Sequence, residues 1–163
     1  MEGDLNADEW LRAFWPSDWA TAEPIASYGN STRPRDPVVD ETFQLASAVI
    51  DYTERLVKQN AVFADQILRS GTSVGSHTRE AQGAESIADF YHKMKIAAKE
   101  LEETDFRLDL CHLKAHYPHD RDLVLATKKL FPLFNSILTT SKQRMNDRIT
   151  RKRRGAGHGP MDT

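Results

Sequence analysis

Between Val39 and about Ile149 the apolar residues recur at helical spacing, and nothing in the chain alternates with a period of two. Four amphipathic segments can be separated. The first starts at Asp40, an acid suited to cap a helix, and carries Phe43, Ala46, Val49, Ile50, Thr53, Leu56 and Val57 at steps of three and four. A polar break at Lys58-Gln59-Asn60 leads to a second, near Val62 to Ala81, striped by Phe63, Ile67, Leu68, Val74 and Ala81. Gly71, Ser73, Gly75 and Ser76 interrupt that stripe. Each glycine inside a helix costs about 1 kcal/mol relative to alanine; close approach of a neighbouring backbone is the expected return, and a local kink is the alternative.

The third segment is the most regular. Ser86 and Asp89 form an acidic version of a capping box, and Ile87, Phe90, Met94, Ala97, Leu101, Thr104, Leu108, Cys111 and Ala115 then follow as a bundle seam. Phe106, Leu110 and Leu113 lie off the seam and hint at burial on a second side, as in an oligomer. Tyr117-Pro118-His119 ends this helix and Asp120 caps the fourth. Its stripe is Leu123, Ala126, Leu130, Phe134, Ile137, Leu138 and Ser141, with Pro132 expected to kink or loosen one turn. Four helices joined by short loops predict an all-α fold, an antiparallel up-down-up-down four-helix bundle over residues 39–149.

Residues 1–38 do not share the pattern. Pro16, Pro24, Pro34 and Pro37 break it too often for a long helix, although Trp10, Leu11, Phe14 and Trp15 fall at helical spacing and Trp19 follows. This Trp-rich stretch is a candidate partner-docking peptide (Trp10, Phe14, Trp15, Trp19), or a segment that folds back on its own bundle. From residue 150 the chain reads as a basic, disordered tail through Arg151, Lys152, Arg153 and Arg154.

Charge sharpens that division. The net charge of −2 conceals an acidic head, with three Lys/Arg against seven Asp/Glu over residues 1–38, and a basic end, with seven Lys/Arg against two Asp over residues 142–163. Lys142, Arg144, Arg148, Arg151, Lys152, Arg153 and Arg154 could extend helix four as a cationic stripe for RNA or DNA, or be a solvated terminus. Apolar residues make up 39% of the chain and its mean hydropathy is −0.59, so membrane spans are not expected. The acidic N-terminus does not resemble a signal peptide, and the single cysteine, Cys111, suits a reducing cytoplasm.

Catalytic chemistry finds little footing. Cys111 lies on the apolar seam, and the serines around Gly71 and Gly75 lack the lysine and preceding strand of a phosphate loop. A di-metal bundle wants Glu-x-x-His, which is absent; His112, His116 and His119 cluster at a helix end, where they could chelate a stray ion. No catalytic residue, cofactor or functional metal is expected.

The run Gln66-Ile67-Leu68-Arg69-Ser70-Gly71-Thr72-Ser73-Val74-Gly75-Ser76, continued by Arg79 to Ser86, Asp89-Phe90 and Lys99 to Thr104, resembles the bacterial four helix bundle proteins, also called 23S ribosomal RNA intervening-sequence proteins. Distant relatives are the accessory variability proteins of diversity-generating retroelements. The resemblance covers about residues 40–141. It implies a bundle that closes into a ring, typically a homopentamer, with no known enzymatic activity. It also implies a gene within ribosomal RNA insertions or beside reverse transcriptases, and relatives that bind nucleic acid and the reverse transcriptase through a positive surface. Arg69, Glu80, Glu100 and Glu103 match its polar motif, readable as a site or as a structural ion-pair network fixing helix register. The family usually has asparagine where this chain has His77. The expectation is a non-enzymatic, oligomeric accessory protein for nucleic acid or a nucleic-acid enzyme; the alternative is a protein-only scaffold docking through its Trp-rich head.

Overall fold

The computed structural model describes residues 37–156, with side chains described as far as Arg151. Four helices follow one another: α1 (Pro37–Leu56), α2 (Ala61–Ala81), α3 (Ile87–His112) and α4 (Arg121–Ala156). Each packs on the next, and α4 returns to α1. Ion pairs fix the directions. Arg55, at the end of α1, holds Asp120 at the start of α4, while Glu41 near the start of α1 meets Lys129 further along α4 at 2.9 Å. The bundle is therefore antiparallel, as its short loops require.

Helix α1 starts at Pro37, where a missing N–H is no loss and φ is already helical. Asp40 is thus not the cap expected for it; it lies inside the first turn, where an acid favours the positive helix end. The buried face is Val38, Thr42, Leu45, Val49, Tyr52, Thr53 and Leu56. Phe43, Ile50 and Val57, expected in the core, are 46%, 43% and 48% exposed. The cause lies across the interface. A Cβ on Gly71 would stand 2.6 and 2.7 Å from the Val49 methyls, and one on Gly75 would stand 3.2 Å from the Thr42 carbonyl oxygen. The glycines let α1 seat Thr42 and Val49 directly on α2. One residue further, about 100° round the helix, Phe43 and Ile50 fall at the edge.

Helix α2 is capped by the Asn60 side chain, which accepts from the Phe63 amide at 2.9 Å and donates to the Tyr117 hydroxyl at 2.9 Å. The small-residue run stays helical because its hydroxyls turn inward on their own turn: Ser70, Thr72 and Thr78 donate to the carbonyls of Gln66, Leu68 and Val74. Helix α3 follows the expected seam, with Met94, Ala97, Leu101, Thr104, Leu108 and Cys111 buried. Ser86 accepts from the Asp89 amide, while the Asp89 carboxylate reaches back to the Glu85 amide. The helix stops at His112, so Ala115 is exposed in the following turn rather than on the seam. Thr104 and Ser70 join α3 to α2 through a buried hydroxyl pair at 2.9 Å.

Asp120 caps α4 as expected, its Oδ1 accepting from the Leu123 amide at 3.0 Å. Leu123, Thr127, Leu130, Phe134 and Ser141 are buried, whereas Ala126 is exposed. Pro132 does not end the helix; it sits on the exposed side of one continuous element. That element also runs past the boundary expected at residue 149, as far as Ala156, so residues 150–156 are helical.

Two predictions follow from these contacts. Gly71→Ala overpacks Val49, and such clashes cost roughly 1–3 kcal/mol, only partly offset by a helix-propensity gain of about 1 kcal/mol. Gly83→Ala meets nothing nearer than 3.7 Å and should be near neutral; urea unfolding of both variants compares them. For Asp120, partial burial pushes the carboxyl up, but the Leu123 amide and the Arg55 guanidinium outweigh it and hold the group below the usual carboxylate range. A depressed carboxylate contributes stability above the unfolded value near 3.9 and loses it as pH falls through the folded one. Asp120→Asn should therefore cost about 1 kcal/mol at neutral pH, with the difference from the parent vanishing in acid, as read by melting curves across pH.

Candidate functional site

The interior is filled and offers little chemistry. Its buried polar residues, Thr42, Thr53, Ser70, Thr78, Thr104, Thr127 and Ser141, are all hydroxyl-bearing. Cys111 is buried, and burial pushes its thiol up, away from the reactive thiolate. The neighbouring Tyr52 hydroxyl, pushed up chiefly by burial, donates to the Pro118 carbonyl at 3.0 Å and ties the α3–α4 loop to α1. Among the described residues no three His, Cys, Asp or Glu side chains are placed to share a metal ion. His112 and His119 stack at 4.7 Å, while His116 packs edge-on against Tyr117 at 4.6 Å.

Among the described residues the charged side chains of the polar motif pair along their own helices. Arg69 pairs with Asp65 at 2.8 Å, one turn back on its own helix. Glu80 stands 3.4 Å from the His77 Nδ1, near enough for an ion pair if the ring is protonated, yet that buried nitrogen has no hydrogen bond. Glu103 bonds Arg107 at 2.9 Å and stands 3.8 Å from Lys99, again within one helix. Glu100 is half-buried on α3. Ion pairs within a helix cannot fix the register of one helix against another. That role falls to Thr104–Ser70, Glu41–Lys129, and Lys128, which reaches Asp105 at 2.9 Å and Asp109 at 3.4 Å.

The remaining features lie outside. One is an apolar edge along α1, with Phe43, Ile50 and Val57 seven residues apart and half-buried Leu68 on the neighbouring α2. A second lies along α3, with Phe106 63% and Leu113 77% exposed and Leu110 half-buried between them. Sequence periodicity had marked the second edge and assigned the first to the core; the glycines opposite α1 were the available signal. The third feature is the end of α4, where Lys142, Arg144, Arg148 and Arg151 are exposed. Arg144, Asp147, Arg148 and Arg151 line a recess with Ile87 at the start of α3. Lys152, Arg153 and Arg154 continue that helix, their side chains outside the described residues. Trp10, Phe14, Trp15 and Trp19 also lie outside them.

The described residues thus form an antiparallel four-helix bundle with apolar edges and a cationic end. The family model of the 23S rRNA-intervening sequence protein matches residues 36–129, and the chain belongs to that family. It is also similar to a crystal structure of a protein of unknown function from the S23 ribosomal protein family of Bacteroides thetaiotaomicron. The two are 33% identical with a TM-score of 0.58, over 62% of this chain and 97% of that one. A comparison with curated proteins found no match. The matched span ends within α4, before its cationic end.

Because Arg69 and Glu80 are paired only locally and at the surface, Arg69→Ala and Glu80→Ala should each change stability by less than about 0.5 kcal/mol. Glu103→Ala leaves part-buried Arg107 without its carboxylate and should cost about 1 kcal/mol or more. Thr104→Val, which breaks the buried hydroxyl pair, should cost about 1 kcal/mol. Chemical denaturation of the four variants separates the two kinds of contact.

Proposed function

We propose that the chain is a non-enzymatic, self-associating accessory protein that binds nucleic acid, RNA or DNA, or a nucleic-acid enzyme such as a reverse transcriptase, through the end of α4. The observation that carries this reading is a helix that outruns the matched family span and presents Lys142, Arg144, Arg148 and Arg151 to solvent. Cations held on a rigid helix neutralise phosphates and release counterions, which gives salt-sensitive affinity with little sequence preference. Membership in the family supports a role close to RNA.

Self-association is supported by the two apolar edges. They lie on different helices, so a contact of one with the other is heterologous, and repeating it closes a ring when the rotation permits. A homopentamer is the proposed ring; it would gather several cationic ends and raise avidity. The work is assigned to the cytoplasm and needs no cofactor, metal or membrane. No described helix is long and apolar enough to cross a membrane. The competing reading is a protein-only scaffold docking through Trp10, Phe14, Trp15 and Trp19.

Gel shift and fluorescence anisotropy with structured RNA and single-stranded DNA, at several salt concentrations, decide between them. The intact chain should bind at low salt, with log affinity falling by about 0.7 per tenfold rise in salt for each phosphate contacted on a single strand. Replacing the seven cations from Lys142 to Arg154 by glutamine should abolish binding, and removing residues 1–36 should leave it. Absence of binding at low salt, or indifference to the seven replacements, would contradict the reading.

A further inference from the structure

We propose that the recess between the end of α4 and the start of α3 is a discrete seat for a phosphate group, an inference that rests on the nucleic-acid reading and assigns it an anchor. The recess has a volume of about 350 Å³ and is lined by Arg144, Asp147, Arg148, Arg151 and Ile87. That size falls at the lower end of ordinary small-ligand sites, roughly 300–1,000 Å³, and suits a nucleotide unit.

Three features distinguish it from a scatter of surface charge. The first is register. Phe134 and Ser141 are buried seven residues apart on α4, and Arg148 holds the next position of the same line. Where the bundle would continue its core, that position instead holds an exposed arginine that lines the recess. The second is pairing. Arg55, Arg69 and Arg107 each hold a carboxylate. Arg144, Arg148 and Arg151, spaced four and three apart on one face, have no ion pair among the described residues, although Asp147 stands between them. Like charges one turn apart repel, and an anion seated between them relieves the repulsion. The third is the opposite wall. Ile87 is the first residue of α3, and the Ile87 and Ala88 amides precede the Asp89 amide that Ser86 caps, so neither has a partner within the helix.

Guanidinium forks grip phosphate oxygens in pairs, which a lysine of equal charge cannot do. Asp147 is the one opposing charge on the recess and should weaken binding. The source of the phosphate is the backbone of a single-stranded nucleic acid; a free phosphate or mononucleotide offers the same chemistry and is separated by experiment.

The test uses the full chain, with a short fluorescent single-stranded RNA followed by anisotropy, and inorganic phosphate and adenosine monophosphate followed by calorimetry. Replacing Arg144, Arg148 and Arg151 together by lysine should weaken RNA binding about tenfold although the charge is unchanged, and Asp147→Asn should tighten it. Circular dichroism melting confirms that both variants fold. If the lysine variant binds RNA as tightly as the parent, the cations act only as counterions and the seat is overturned while the nucleic-acid reading stands. If the parent ignores RNA but takes up phosphate or the mononucleotide, and the lysine variant does not, the seat stands and the nucleic-acid reading falls. Binding of none of the three probes overturns both.

Discussion

The close contact of α1 with α2 at Gly71 and Gly75 is the constraint from which the rest of the structure follows. With no Cβ at either position, the Val49 methyls and the Thr42 backbone occupy the space that side chains on α2 would fill. That fixes the rotation of α1 about its own axis. Thr42, Val49 and Leu56 then form one inward line, and Leu45 and Tyr52 form another. Phe43, Ile50 and Val57 are left along an edge that is half open to solvent. Two half-exposed β-branched residues at heptad spacing, Ile50 and Val57, are the apolar surface on which the proposed self-association rests.

The interior is the complement of that edge. Its polar groups are hydroxyls, several of which return their hydrogen bonds to the preceding turn of their own helix, as Thr42, Thr78 and Thr127 do. They add no charge and no nucleophile to the core. The features on which the proposed contacts rest therefore lie on its outside: two apolar edges and the cationic end of α4. Helix α4 is the longest element, and its final turns extend the bundle's geometry into a cationic arm.

Much of this was legible in the chain, and the exceptions have a common cause. Helix α3 could be read almost residue by residue because its seam is continuous and its partners on both sides conform to it. The N-caps Ser86 and Asp120 belong to local chemistry, although Asp40 misled because Pro37 can start a helix without a capped amide, and Asn60 was read only as part of a polar break. Helix α1 was misread by one residue's rotation, since the choice between Phe43 and Thr42 as the inward residue is made by glycines some thirty positions away. The motif residues Arg69, Glu80, Glu100 and Glu103 were legible as a set but not as partners, because whether they meet depends on packing. The cationic end was visible in composition; its recess was not, since Ile87 and Arg148 are joined only by the fold. The Trp-rich head lies outside the described residues.

The most direct test of the central claim, that the edge left open by the glycine contact is an assembly surface, is the solution mass of the full chain by multi-angle light scattering over a range of concentrations. The account predicts a defined particle whose mass is a whole multiple of 18.5 kDa, five being the proposed number. A single chain at every concentration would contradict it, because Ile50 and Val57 would then stay half open to solvent.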